Sequence, residues 1–130
     1  MAQPILITEI SSFQAKAGEG AATGNIWLEF DGKHFPAQHW NDFVVVLLGW
    51  WTNALLRLLR DSSIKETVSF MEGPYAVEVT RISSEKLRFR ALSGIHRNNI
   101  VMTGESSIAS FALALIAQSR QVLDVCREHA

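Results

Sequence analysis

The sequence has very little cysteine. Cys126 is the only one in 130 residues, so the chain cannot form an internal disulfide framework. A lone thiol fits a reducing compartment, because small secreted domains usually carry several disulfides. The amino-terminal residues have neither the basic segment nor the apolar stretch of a secretory signal. The longest apolar run, residues 43–51, is much shorter than the about 20 residues of a membrane-spanning helix. The sequence therefore predicts a cytoplasmic protein that does not contact a membrane.

Net charge is also nearly absent. Twelve lysines and arginines oppose 13 aspartates and glutamates, which gives −1 and predicts no affinity for nucleic acid. The charges are nevertheless unevenly distributed, with nine acids and five bases in residues 1–80 and four acids and seven bases in residues 81–130. Folding either separates them into two charged poles or intermixes them, and the sequence leaves both outcomes open.

What the chain does contain is enough apolar material for one globular domain. Hydrophobic residues make up 48% of the sequence and charged residues 19%. A chain of this length buries most of its unfolded surface, so it needs neither a disulfide nor a metal to fold. We therefore expect a single small soluble domain over residues 1–130.

The first third of the chain has the alternation of β-strands. In residues 25–31, Ile26, Leu28 and Phe30 point to one side and Trp27 to the other. The Asp31-Gly32 pair that ends this strand favours a type I′ turn and a hairpin into residues 33–35. An earlier strand is predicted at residues 4–10, and the glycine-rich residues 16–24 between the two are predicted to form a mobile connection. Glycine content is the only likeness of that connection to a phosphate-binding loop.

Residues 41–60 are predicted to form a long, nearly all-apolar helix. Asn41 is a good N-cap, Trp40 and Val45 can form a hydrophobic staple, and Asp42 suits the positive end of the helix dipole. A helix this apolar should be covered on most of its circumference, so we expect it to lie centrally across a sheet. The residues expected to face that sheet are Phe43, Leu47 and Leu55. Its expected solvent-facing stripe consists of Asp42, Asn53, Arg57 and Arg60.

The second half predicts a meander of strands over residues 66–102 and a closing amphipathic helix that begins near Ser106. When the inward-facing residues of the two strands beside the turn at residues 83–85 are aligned, Val79 lies opposite Phe89, and the two strands are expected to pair. The apolar stripe of the helix is Ile108, Phe111, Ala112, Leu115, Ile116, Ser119, Val122, Leu123 and Cys126. The predicted class is α+β, with element order β-β-β-α-β-β-β-β-α and a mostly antiparallel sheet.

No pattern in the sequence indicates catalysis, a cofactor or a metal. The histidines and acids around the first hairpin (Asp31, His34, His39 and Asp42) have no spacing that would make them converge on an ion, so we expect them to be surface loop residues. Cys126 and His129 are three residues apart, but a thiol on an apolar stripe is kept neutral and unreactive. We therefore expect a protein that is not an enzyme.

One strand carries alternating basic residues. Lys86, Arg88 and Arg90 share one face, while Phe89 faces the other way, so the stacking aromatics of nucleic-acid-binding sheets are missing. With Glu78 expected opposite Arg90, the pattern favours a solvated and partly neutralised face.

Four tryptophans lie between positions 27 and 51. At least one of Trp50 and Trp51 is expected in the core. Trp27 faces away from the apolar side of its strand, and its expected neighbours are Glu29, Asp31 and Asp42. An exposed tryptophan among carboxylates suits a partner-binding surface, in which the ring anchors and the acids steer. The alternative, equally consistent with the sequence, is that Trp27 packs beneath the glycine-rich connection.

Residues 24–36 (GNIWLEFDGKHFP), 40–43 (WNDF) and 49–51 (GWW) resemble small bacterial immunity proteins, the partners of toxins used in interbacterial competition. The resemblance covers roughly residues 20–80 and is one of general character, that of a small, aromatic-rich α+β domain without catalytic residues. It implies tight binding to a cognate toxin domain and occlusion of the toxin's active site. Toxin nucleases are often basic, which suits the acidic residues 1–80.

A second class of function stays open beside it. The chain could be a small-molecule-binding or regulatory domain, including a homodimeric one, that uses an apolar pocket between the sheet and the central helix. A third is an enzyme whose site has no recognisable motif.

Overall fold

The computed structural model describes residues 3–15, 22–60 and 63–128. The glycine-rich connection at residues 16–24 therefore lies largely outside the described residues, as does His129. In chain order the elements are β1 (Pro4–Ala15), β2 (Ala22–Phe30), β3 (Lys33–Phe35), β4 (Asn41–Asp42), α1 (Val44–Leu59), β5 (Lys65–Ser69), β6 (Tyr75–Arg81), β7 (Lys86–Ser93), β8 (Asn99–Ser107) and α2 (Ile108–Glu128).

The strands form two antiparallel sheets. Sheet A has the order β1-β2-β3 with β4 beside β2, and sheet B has the order β5-β6-β7-β8. The α+β class and the predicted element order are confirmed, with the two-residue β4 as an addition and with two sheets in place of one. Strand β1 is also longer than predicted, because it continues past an irregularity between Glu9 and Gln14.

The predicted local pairings of both sheets are confirmed. Asp31 and Gly32 have φ values of 49° and 82° and connect β2 to β3, where Phe30 pairs with Lys33. Both turn residues need positive φ, which aspartate and glycine adopt at low cost. In sheet B, Val79 pairs with Phe89.

The basic strand β7 is neutralised by its neighbours. Glu78 pairs with Arg90 across the ladder, and its carboxylate lies 3.7 Å from the Arg90 guanidinium. On the other side, Arg88 lies 3.9 Å from Glu105 of β8. These partly exposed pairs contribute little to stability, but they leave β7 without a strong positive field.

The start of α2 differs from its prediction by two residues. Ser106 is buried in β8 and pairs with Leu87, whereas Ser107 caps the helix by accepting a 3.0 Å hydrogen bond from the Ser110 amide. The last strand also extends well beyond the predicted residues 100–102. Residues 103–107 lack large apolar side chains, so their alternation was invisible, yet the ladder with β7 continues through them.

The start of α1 differs more. Asn41 and Asp42 do not cap the helix, because they form β4 and pair with Asn25 and Gly24 of β2. Phe43 precedes the helix without a side-chain cap. Trp40 packs edge-on against Phe70 and Tyr75, with ring centroids 6.3 and 5.3 Å away, so the expected staple to Val45 is absent.

The core lies between the two helices and the inner faces of both sheets. From α1 it receives Leu47, Leu55 and Trp51, as the sequence predicted for Leu47, Leu55 and one of the paired tryptophans. Phe43, also expected to face the sheet, is half-buried. The expectation that α1 is covered on most of its circumference is wrong, because Trp50 and a row of aliphatic side chains on its outer side are exposed.

Candidate protein-binding surface

The outer face of sheet A is not covered by either helix. Leu6, Ile26 and Leu28 point inward to the core, and Thr8 of the same inner face is hydrogen-bonded to Gln118 of α2. The side chains that alternate with them, including Ile5 and Trp27, therefore point to the opposite side. This is the face on which the sequence placed a partner-binding surface.

Trp27 lies at the centre of this face but is 4% exposed. Its indole packs edge-on against His34 and His39, with ring centroids 6.1 and 5.5 Å away. The indole Nε1 donates a 3.0 Å hydrogen bond to His34 Nδ1. The expectation of an exposed anchor is therefore wrong: the strand face was correctly predicted, but two histidines cover the ring.

His39 is held over Trp27 by a contact with β1. Its backbone has a φ of 61°, which is uncommon for a residue with a side chain, and its Nδ1 pairs with the Glu9 carboxylate. Asn25 also donates a 3.0 Å hydrogen bond to that carboxylate. The hydrogen bonds from His39 and then Asn25 lower the pKa of Glu9. Because that pKa is lowered, the stability that Glu9 contributes to the fold is present at pH values above the ordinary pKa of a glutamate. It is lost as the pH falls through the lowered pKa.

Two of the predicted partner-binding residues are accessible on or beside this face. Glu29 is half-buried between Ile5 and His34 in the ladder, and Asp31 is exposed in the turn. Neither has an ion-pair partner within the described part of the chain. Lys33 is the only lysine or arginine in the described residues between positions 3 and 56. Sheet A is therefore an acidic region of the folded protein.

Asp42 is the fourth predicted residue, and its assignment to the surface is wrong. Its side chain is 1% exposed. One oxygen accepts a 2.7 Å hydrogen bond from the Phe43 amide, and the other accepts 3.1 Å bonds from Trp40 Nε1 and the Glu72 amide. Asp42 thus ties β4 to the turn between β5 and β6, which is a structural role.

The four hairpin residues considered as metal ligands do not converge on one point. His34 and His39 both face Trp27, whereas Asp42 points inward and Asp31 lies in the turn. Within residues 3–15, 22–60 and 63–128, no three histidine, cysteine, aspartate or glutamate side chains are arranged as ligands. Cys126 is half-buried beside the core.

A pocket between sheet and central helix, expected for a small-molecule-binding domain, is occupied by side chains such as Leu47 and Leu58. An open depression of about 470 Å³ lies instead between the first hairpin and β8 and is lined by Lys33, Met102 and Thr103 among others. An apolar depression of about 300 Å³ lies on the outside of the molecule, between α1 and α2.

The sequence did not predict the contacts that Glu9, His34 and His39 make around Trp27. For His34 a signal existed, since the predicted hairpin register places it opposite Glu29 and diagonal to Trp27. No local pattern indicates the contact between His39 and Glu9, which lie 30 residues apart.

Helix α2 is long and apolar enough to cross a membrane by length and composition. Core helices pass the same test, and α2 contributes four side chains to the core: Ile108, Phe111, Leu115 and Val122.

No protein-family model, curated protein or solved structure matches this chain. Its function is therefore inferred from the chemistry of its surfaces.

Replacing Trp27 with phenylalanine should lower the free energy of unfolding by about 1 kcal/mol, because the variant keeps the ring contacts but loses the hydrogen bond to His34. Urea denaturation measures the change. Trp50→Phe is the matched control, since Trp50 is exposed and should give a change within about ±0.5 kcal/mol. Equal losses in the two variants would show that the indole–imidazole bond does not contribute.

Proposed function

We propose that this chain is a non-catalytic protein-binding domain that neutralises a bacterial toxin domain, as an immunity protein does. Its binding surface is the acidic face, defined as the outward side of sheet A with Ile5, Glu9, Glu29, His39 and the adjoining Asp31. The observation that carries the proposal is that this sheet face is uncovered and bears carboxylates, with no lysine or arginine at its outward ladder positions.

The charge of this face suits a basic partner. Carboxylates without ion-pair partners attract a positively charged protein and raise the rate of encounter, and salt screens that attraction. An enzyme that acts on nucleic acid needs basic residues around its active site. An acidic surface can occupy such a site and exclude the nucleic acid.

The apolar contact in this proposal comes from Ile5, which is half exposed, and Trp27 has a supporting role. The buried indole and its two histidine contacts fix His39 beside Glu9. A surface whose side chains are already held in place loses less conformational entropy on binding. Trp27 therefore acts through pre-organisation of the face and does not itself anchor the partner.

Reversing charge on the acidic face tests the proposal. The double variant Glu29→Lys with Asp31→Lys should slow association with the cognate toxin domain, to be sought in a large gene immediately upstream, and should abolish protection in a growth assay. Pull-down after co-expression reports binding, and added salt should slow association more than it speeds release.

The matched control is the double variant Glu72→Lys with Glu85→Lys, which makes the same charge change at two exposed positions in turns of sheet B. It should protect as the wild type does, and circular dichroism should show that both variants fold. If the toxin kills equally with and without the wild-type chain, the immunity function is wrong. If the variant with reversed charge on sheet A still protects and the control variant on sheet B does not, another surface binds the toxin.

A further inference from the structure

Each of the two helices has a second row of side chains that does not face the core. On α1 these are Val45, Gly49, Thr52, Leu56 and Leu59, at alternating spacings of four and three residues, and all five are exposed. This is the heptad spacing with which helices pack against other helices. We call this row the α1 seam. The core-facing residues of α1 form a separate set.

Helix α2 repeats the arrangement. Leu113, Ile116, Arg120, Leu123 and Arg127 follow spacings of three and four residues, and all are exposed. This row is the α2 seam. It lies beside the residues that α2 gives to the core, namely Ile108, Phe111, Leu115 and Val122. Three of its five members are apolar, so α2 has exposed apolar side chains in addition to those that face the core.

The two seams flank one continuous groove. A depression of about 300 Å³ runs beside Leu56, Leu59 and Ile116, and a second of about 190 Å³ lies beside Val45 and Gly49. The two depressions share three lining residues, Thr52, Ser119 and Leu123. The groove and its two walls together form the helical face, which lies on the opposite side of sheet A from the acidic face.

Gly49 is the clearest indication that something outside the chain approaches this groove. Glycine in the interior of a helix is less favourable than alanine. A Cβ added at Gly49 would meet no atom within 4 Å, so no contact within the described structure requires glycine there. Its small size does, however, leave room for a side chain of another molecule.

The charges of the helical face are few, and one pair of them can be satisfied between copies. No acidic residue is present in α1. On α2, Arg120 and Asp124 lie one turn apart on the exposed side, and neither has an ion-pair partner among the described residues. Two antiparallel copies of α2 centred near Leu123 bring Arg120 of each to Asp124 of the other, as a two-fold axis requires.

We propose that the helical face is the interface of a homodimer, in which a second copy of this chain packs its α1 and α2 seams against the first. Leu123 of each copy enters the other's groove beside Gly49. Two seams require two helices opposite them, which a second copy supplies. The two seams present ten exposed residues on each copy. This inference does not depend on the toxin-binding proposal, since the acidic face stays accessible in such a dimer.

Sedimentation equilibrium over a micromolar concentration series should give twice the mass of the 14.5 kDa chain. Leu123→Asp should raise the dimer dissociation constant at least about tenfold, because it puts a charge into an apolar interface. The matched control is Ile95→Asp, which makes the same change at a loop residue that is 88% exposed and far in sequence from both seams. The control should dimerise as the wild type does.

The variant Gly49→Leu tests dimerisation without impairing the folding of the monomer. Leucine is a good helix former and the space around Gly49 is open, so thermal unfolding of the variant should be unimpaired. The new side chain fills the space that Leu123 of the other copy needs, so this variant should be monomeric at concentrations where the wild type is dimeric.

Three results would overturn the proposal. One is a wild-type mass of a single chain across the series. Another is an equal effect of Leu123→Asp and Ile95→Asp. The third is a monomer that floats with phospholipid vesicles, of zwitterionic or anionic composition, in a manner that Leu123→Asp abolishes, because the helical face would then bind a lipid surface.

Discussion

Replacing Phe89 with alanine is expected to lower the free energy of unfolding by about 3–5 kcal/mol. Phe89 is fully buried in β7, in the middle of sheet B. Its ring lies 4.8 Å from that of Phe111 in α2 and 6.3 Å from that of Trp51 in α1, measured between centroids. Truncation opens a cavity where both helices meet the sheet. The rings of Trp51 and Phe111 belong to different helices, so we expect them not to close it.

Chemical denaturation of the two proteins measures this loss. Asn53→Ala serves as the control, because Asn53 is exposed on α1 and its replacement should change stability by no more than about 0.5 kcal/mol. The core assignment would be contradicted if Phe89→Ala and Asn53→Ala shifted the denaturation midpoint equally.

Replacing Asp42 with alanine is expected to cost about 3 kcal/mol or more. Three donors, Trp40 Nε1 and the amides of Phe43 and Glu72, lose their shared acceptor in a site that water does not reach. Each buried donor left without a partner costs about 1–3 kcal/mol. Asp42→Asn should cost less, because its amide oxygen still accepts one of these bonds.

The control for Asp42 acts on the same hydrogen bond. Glu72→Ala removes an exposed side chain but keeps the backbone amide that donates to Asp42, so its effect should be small. Hydrogen exchange gives a local reading, since the amides of Phe43 and Glu72 should exchange faster in Asp42→Ala. An Asp42→Ala protein as stable as Glu72→Ala would show that the three bonds do not stabilise the fold.

Local periodicity made much of the fold predictable. Ile26, Leu28 and Phe30 alternate cleanly, and Asp31-Gly32 allows one turn type, so strand, turn and pairing all follow from a few adjacent residues. The match of Val79 with Phe89 follows in the same way from one short turn.

The role of Asp42 could not be read in this way. An asparagine-aspartate pair before an apolar run has the pattern of a helix cap, which is a local interpretation. Besides its two neighbouring donors, Asp42 accepts a hydrogen bond from the amide of Glu72, 30 residues later in the chain. Only the packing of Trp40 onto sheet B brings the two together.

The sequence predicted neither the burial of Trp27 nor the exposure of one side of α1, and the reasons differ. Alternation places the indole on the outward face, but His39 reaches it from a loop whose backbone conformation no pattern indicates. In α1 almost every residue is apolar, so hydrophobicity cannot distinguish the side that faces the core from the side that faces outward.

The hydrogen bond between Thr8 and Gln118 joins residues that are 110 positions apart. During synthesis, β1 and β2 leave the ribosome before α2, which packs on the inner face of β1 and follows all the other described elements in the chain. The inner face of β1 therefore stays without its cover until α2 has been translated, whereas β2 also contacts the earlier helix α1. Such late closure favours slow folding and gives chaperones a long period in which to bind the unfinished sheet.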